Sequence, residues 1–211
     1  GLGAREPSTE HRQIDITLPN AWRIVGTVAG ASGDHVGPVL ASVSTASDRQ
    51  RLVPWLDLMA LTAHDPDTEW ASALLNRPGS RTAKGYQQRV LKIAIAEADR
   101  RHERAVAALS MVVDLFRRGS CEPLPIFPRL SPALFKGTSA SGAWNSNSFS
   151  TGDSADEWTQ VAFGHASLEE ITSLPLEAGD PYGRGSDRAS RYAHLLWGAM
   201  KSSLDDDRTA S

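Results

Sequence analysis

From Gln13 onward apolar and polar residues alternate, so that Ile14, Ile16 and Leu18 fall on one face of an extended chain that Pro19 closes. Arg23-Ile24-Val25-Gly26-Thr27-Val28 predicts a second strand. Three glycines between Ala29 and Pro38 predict a hairpin loop and Val39 to Ser44 a third strand, so a β-meander is expected. The period then lengthens. Leu52, Trp55, Leu56, Met59, Ala60 and Ala63 recur at helical spacing, in a helix expected from the cap Asp48 to about His64. Pro54 predicts a later start or a kink, and Asp65-Pro66 predicts the stop.

Trp70 to Leu75 reads as a fourth strand, residues 76–80 as a turn, and Gln88 to Ala96 as a fifth strand rich in β-branched side chains. A long helix is expected from Ala98 to Arg118, with Val106, Leu109, Val113 and Phe116 as its apolar stripe and Gly119 at its end. The stretch from Glu122 to Pro132 is proline-rich yet apolar at Leu124, Ile126 and Phe127, hence extended and packed. Residues 138–151 are dense in Ser, Gly and Asn and predict a flexible loop. Glu157 to Phe163 predicts a helical or extended segment. Ser167 to Leu174 predicts a short helix with Ser167 as cap and Glu170 at the capping-box position. After a loop at residues 179–185, a last helix is expected from Asp187 to about Leu204, with Tyr192, Leu195, Leu196 and Met200 on one side. Residues 1–13 are expected to be a linker or frayed end, 14–204 one domain and 205–211 a solvated tail.

The 211 residues suffice for one domain with a core, and 40% apolar with 22% charged residues is an ordinary soluble balance. A net charge of −3 argues against a surface that grips nucleic acid all round, while a local basic face stays open. The single cysteine, Cys121, excludes an internal disulfide and a cysteine-based zinc cage, and suits a reducing, cytoplasmic setting. No apolar run approaches the ~20 residues of a membrane span, and no signal-like segment opens the chain. With Gly1-Leu2-Gly3-Ala4 at its start, the chain is expected to be a piece of a longer polypeptide.

Three segments carry a family likeness: Gly26-Thr27-Val28-Ala29, the run Glu122-Pro123-Leu124-Pro125-Ile126-Phe127-Pro128, and Gly183-Arg184-Gly185-Ser186-Asp187 leading to Trp197. Over nearly the whole chain they resemble the carboxy-terminal, nuclease-like domain of the RecC (gamma) subunit of exodeoxyribonuclease V, the bacterial RecBCD helicase–nuclease. The resemblance implies an α/β (α+β) domain with a degenerate PD-(D/E)xK restriction-endonuclease-like fold, a central mixed sheet flanked by helices. It implies a non-catalytic structural and DNA-guiding role in double-strand-break repair and homologous recombination. Contacts to a RecB-like helicase–nuclease subunit and a RecD-like helicase subunit follow from it. A pin that separates the duplex would lie in this domain, with residues 137–156 as its candidate, and Chi recognition would reside elsewhere in the subunit. ATP and Mg²⁺ would act in the partner subunits, with no cofactor or metal in this domain.

In active members of that superfamily, an Asp on the second strand and a carboxylate on the third hold Mg²⁺, which lowers the pKa of the attacking water. A Lys two residues further on positions that water or stabilises charge on the phosphate. Here Ala29 stands where the Asp would be, Ser42 where the carboxylate would be and Ser44 where the Lys would be. All three are neutral, and a hard cation wants anionic oxygen. An active nuclease would need a relocated acid, Asp34 or Asp48. The first suits a turn and the second a helix cap. An unrelated α/β interaction module is the third reading.

The six histidines (His11, His35, His64, His102, His165 and His194) show no paired spacing for zinc. Cys121 has no nucleophile signature around it, and Gly183-Arg184-Gly185 lacks a phosphate-loop pattern and reads as the approach to a helix. Arg77, Arg81, Lys84, Arg89 and Lys92 have no acid among them and are the candidate DNA-backbone track. Arg100, Arg101 and Arg104, then Arg117 and Arg118, lie on the long helix and offer a second such track, but Glu97, Asp99 and Glu103 are interleaved, which favours a solvated helix face. Of six tryptophans most are expected in the core. Trp144, in the Ser/Asn-rich loop, is the candidate partner anchor or base-stacking wedge.

Overall fold

The alternation at Ile14, Ile16 and Leu18 builds the expected hairpin. β1 (His11–Thr17) pairs antiparallel with β2 (Arg23–Ala29), and Ile14, Ile16, Leu18 and Val28 are all buried. The strand begins two residues before the alternation does. The structure, a computed structural model, describes residues 11–30, 36–45, 47–77, 87–93, 97–148 and 150–205, with the backbone alone at 36–45, 89 and 205.

The three-stranded meander does not form. β3 (Val36–Thr45) pairs in parallel with β4 (Ala71–Arg77), reached through α1 (Asp48–His64). β4 continues antiparallel to β5 (Gln87–Ile93), which ends on the two-residue strand β6 (Leu204–Asp205). Among the described residues, β1 and β2 thus make one sheet and β3-β4-β5-β6 a mixed second sheet. The physical reason lies in two features of the sequence. Val39, Leu40 and Ala41 are consecutive apolar residues without alternation, as in a strand of a parallel sheet. A parallel partner also needs a crossover of about a dozen residues or more, and the 17 residues of α1 supply it. Asp205, expected in the tail, belongs to β6.

α1 keeps its expected bounds but not its expected cap. Ser47 is the N-cap: its hydroxyl accepts from the Gln50 amide, and the Gln50 side chain accepts from the Ser47 amide in return. Asp48 instead occupies the first turn, 3.9 Å from Arg51. Pro54 is tolerated inside the helix and buried. The indole N–H of the buried Trp55 donates to Ser203 Oγ at 2.8 Å. α2 (Ala98–Gly119) likewise matches in extent, but its buried positions are Arg101, Ala105, Ala108, Leu109 and Leu115, and Phe116 is exposed. A hydropathy stripe weights bulk; alanines, by contrast, mark where a helix can approach its neighbours closely.

The chain forms two compact units, residues 1–111 with 200–211 (unit 1) and residues 112–199 (unit 2). Unit 2 contains the short helices α3 (Leu130–Lys136), α4 (Ala140–Trp144), α5 (Glu157–Phe163) and α6 (Leu168–Thr172), and most of α7 (Arg188–Ser203). Its core gathers Phe127, Leu130, Ala133, Ala143, Trp144, Ile171 and Ala189. Phe127 meets the Trp144 ring edge-on at 5.1 Å and the Phe163 ring at 5.3 Å. Of the apolar members of the proline-rich segment, Phe127 is packed in the core as expected, while Leu124 and Ile126 are half-buried. α6 carries the predicted capping box between Ser167 and Glu170.

Residues 138–151, expected to be a flexible loop, are folded over their described part. α4 occupies residues 140–144, Asn147 and Ser150 form a bridge, and the Gly152 amide donates to Ser146 Oγ at 3.0 Å. The buried Asp153 accepts the amides of Arg129 and Leu130 at 2.9 and 2.7 Å, and the Arg129 guanidinium donates to the Thr151 carbonyl. Short polar side chains can imply disorder, but they are also the ones that bond neighbouring backbone. A Cβ on Gly152 would stand 2.1 Å from the Trp144 carbonyl oxygen. Gly152→Ala is expected to lower stability in urea denaturation by roughly 2 kcal/mol. An unchanged midpoint would show that this segment is not pinned.

Candidate functional site

Ala29 is the last residue of β2, exposed and opposite His11. Ser42 and Ser44 lie on β3 between Ala41, opposite Leu75, and Thr45, opposite Arg77. Between those two pairs the register shifts, so the ladder is broken where both serines sit. Ala29 is thus in the two-stranded sheet and the serines in the four-stranded one, while α1 packs against strands of both. As a donor set the three do not fit Mg²⁺: alanine has no ligand atom and serine hydroxyls are neutral. Of the relocated acids, Asp34 lies outside the described residues and Asp48 stands beside the α1 cap. Burial pushes the Asp57 carboxyl on α1 above its ordinary range, but one carboxyl does not make the pair that Mg²⁺ requires. Among the described residues, no three His, Cys, Asp or Glu side chains come together in a metal-holding group.

The basic track is spread out. Arg77 ends β4, whereas Lys92 pairs with Ala71 at the other end of that strand, a separation of roughly 20 Å at ~3.4 Å per residue. Both side chains are exposed. The backbone of Arg89 pairs with Leu74; Arg81 and Lys84 lie outside the described residues. Several arginines of α2 are engaged within the fold. Arg101 is buried, donates to the Pro66 carbonyl at 2.9 Å and pairs with Glu69, while Arg117 and Arg118 both pair with Asp114.

Trp144 ends α4 inside the unit 2 core, so its ring is not presented to a partner or a base in this fold. The exposed aromatics lie elsewhere and include Trp22, Phe116, Trp158 on α5, which is 77% exposed, and Tyr182, which is 99% exposed.

Sequence reasoning missed a guanidinium that organises unit 2. Arg188, the first residue of α7, is only 8% exposed. Its Nε lies 3.0 Å from both Asp180 oxygens, Nη2 lies 2.7 Å from Glu122 and Nη1 lies 3.1 Å from Glu177. The Tyr192 hydroxyl donates to Asp180 at 2.8 Å. Burial pushes the Asp180 carboxyl up, but the Glu177 amide, the Tyr192 hydroxyl and Arg188 together outweigh it and hold the group below its ordinary value. Arg191 donates to the carbonyls of Pro181 and Gly185, and Arg118 to that of Gly179. Gly185 has φ +117°, and a Cβ there would stand 2.5 Å from the Arg191 nitrogen, so only glycine fits. Asp180, Glu177 and Arg188 form a local cluster of opposite charge that the sequence displays. Glu122, 66 positions from Arg188, gives no such hint.

A hairpin, a mixed sheet with a parallel crossover and a second unit of short helices define a mixed α/β chain. It belongs to the RecC C-terminal domain family, whose profile matches residues 2–138. The RecBCD enzyme subunit RecC of Mycolicibacterium smegmatis is 30% identical over 125 residues, 59% of this chain and 10% of that protein. The RecBCD enzyme subunit RecC of Mycobacterium tuberculosis is 25% identical over 204 residues, 93% of this chain and 18% of that protein. The chain therefore spans less than a fifth of the length of these curated relatives. No described helix is long and apolar enough to cross a membrane.

Asp180 makes one contribution to the acid sensitivity of unit 2. Its folded-state pKa lies below the ordinary ~3.9, so its stabilising effect is complete above that pH and is lost as pH falls through the folded-state value. Resistance to urea is expected to drop as pH falls below about 4, and Asp180→Asn should lack that part of the drop. An equally steep fall in the variant would place the acid-sensitive group elsewhere.

Proposed function

We propose that the chain is a non-catalytic structural and DNA-guiding domain of a RecBCD-type helicase–nuclease, working in the cytoplasm in double-strand-break repair and homologous recombination. In this reading it contacts RecB-like and RecD-like subunits and helps handle separated DNA strands, while ATP and Mg²⁺ act in those partners. The observation that carries the non-catalytic part is the neutral triplet Ala29, Ser42 and Ser44, with no anionic oxygen to hold a divalent cation and the strand ladder broken at the serines. The strand–helix–strand order of β3, α1 and β4 supports a degenerate PD-(D/E)xK fold as its frame. Arg77 and Lys92, at opposite ends of the β4–β5 pair with Arg81, Lys84 and Arg89 between them in sequence, suit a track along a DNA backbone rather than a grip at one point.

Two measurements test this reading. Incubated with labelled single- and double-stranded DNA and Mg²⁺ or Mn²⁺, the chain is expected to leave both intact. Cleavage that EDTA stops would overturn the non-catalytic reading and direct attention to Asp34 and Asp48. In binding titrations across salt, Arg77→Glu with Lys92→Glu should weaken DNA affinity and lower the log–log salt slope by about two, one for each lost phosphate contact. An unchanged slope would remove these residues from the DNA path.

A further inference from the structure

We propose that the outer face of α5 docks a basic-rimmed apolar surface of a sister subunit. The face lies beyond the 2–138 family match. Trp158 and Val161 are one helical turn apart on α5 and are 77% and 76% exposed. The other side of the same helix is anchored: Phe163 packs on Phe127, Thr159 is buried, and Gln160 donates to the Ser154 carbonyl at 3.1 Å. The two apolar side chains are therefore held out by a helix already fixed from beneath, the arrangement of a preorganised anchor.

Charge selects the occupant. Between Lys136 and Arg184 there are seven acidic residues and no Lys or Arg. Of these, Asp156 and Glu157 at the start of α5 and Glu169 and Glu170 on α6 are exposed. The Ser167 amide and hydroxyl hold the Glu170 carboxyl below its ordinary value, which keeps it charged. A nucleic acid would meet like charge here and release no counterions. A second copy about a two-fold axis would set acids against acids. A protein surface with Lys or Arg around an apolar centre complements both features. The choice of a sister subunit rests on the proposed function; the acidic and apolar character of the face does not.

The test uses the full RecC-type subunit that carries this chain, co-purified with the RecB-type and RecD-type subunits and titrated for Kd. Trp158→Glu with Val161→Glu is compared with wild type and with Val53→Glu, an exposed apolar position on α1. The double variant is expected to weaken binding of one sister subunit by about tenfold or more, Val53→Glu to leave it unchanged, and added salt to weaken the wild-type complex. Assembly of the double variant as tight as wild type overturns the docking surface and leaves the proposed function standing. Failure of the wild-type subunit to assemble with either sister overturns both. A lower Tm for the double variant alone shows the face to be covered within its own subunit. Loss of single-stranded oligonucleotide binding shows it to be a nucleic-acid surface. Either of these last results also overturns the inference.

Discussion

A guanidinium withdrawn from water has to find carboxylates, and in unit 2 that requirement fixes the chain around it. Arg188 opens α7, where its positive charge opposes the helix dipole, so its acidic partners must more than offset that placement. They come from separate segments. Glu122 follows α2, and Glu177 and Asp180 lie in the loop before α7. α4 and α6, at five residues each, are too short to persist alone. Their stability is tertiary, through the Phe127–Trp144 core and through a loop whose carbonyls are held by Arg118 and Arg191.

In unit 1 the governing constraint is the parallel pairing of β3 with β4. A parallel pair cannot be closed by a tight turn, so α1 must cross over, and its buried residues Trp55, Leu58 and Met59 must then find apolar surface. The register shifts along β3 are compatible with this because β4 also pairs with β5 on its other edge and does not depend on a regular β3 ladder. The ladder is broken at Ser42 and Ser44, residues whose side chains are neutral. An active pair of carboxylates would need a fixed backbone to keep them within reach of one ion.

Local signals were legible in the sequence and distant ones were not. The Ser167–Glu170 capping box, the ends of α1 and α2 and the β1–β2 hairpin depend on neighbours within a few residues, and the pattern displays them. The choice of Ser47 over Asp48 as cap turns on which side chain Gln50 can answer, one residue from the expected place. The meander failed because strand pairing is a tertiary choice: β3 is equally extended beside β2 or beside β4. The segment around Trp144 failed because composition weighs Ser, Gly and Asn as disorder, whereas Ser146, Asn147 and Asp153 bond backbone and close it. For the site, residue types at Ala29, Ser42 and Ser44 were readable, but their division between two sheets was not.

Charge is divided between the units in a way the overall −3 conceals. Unit 1 carries fifteen basic and fifteen acidic side chains, and unit 2 carries seven and ten. At physiological salt, charges further apart than about 8 Å are largely screened, so what a strand of DNA or a protein surface feels is the local set. In the sequence from Arg77 to Lys92 that set is purely basic, and from Asp153 to Asp180 it is purely acidic. Both stretches cannot favour the same partner. If the first tracks a phosphate backbone, the second disfavours it, and the exposed Trp158 and Val161 within the acidic stretch are left for a protein surface of opposite charge.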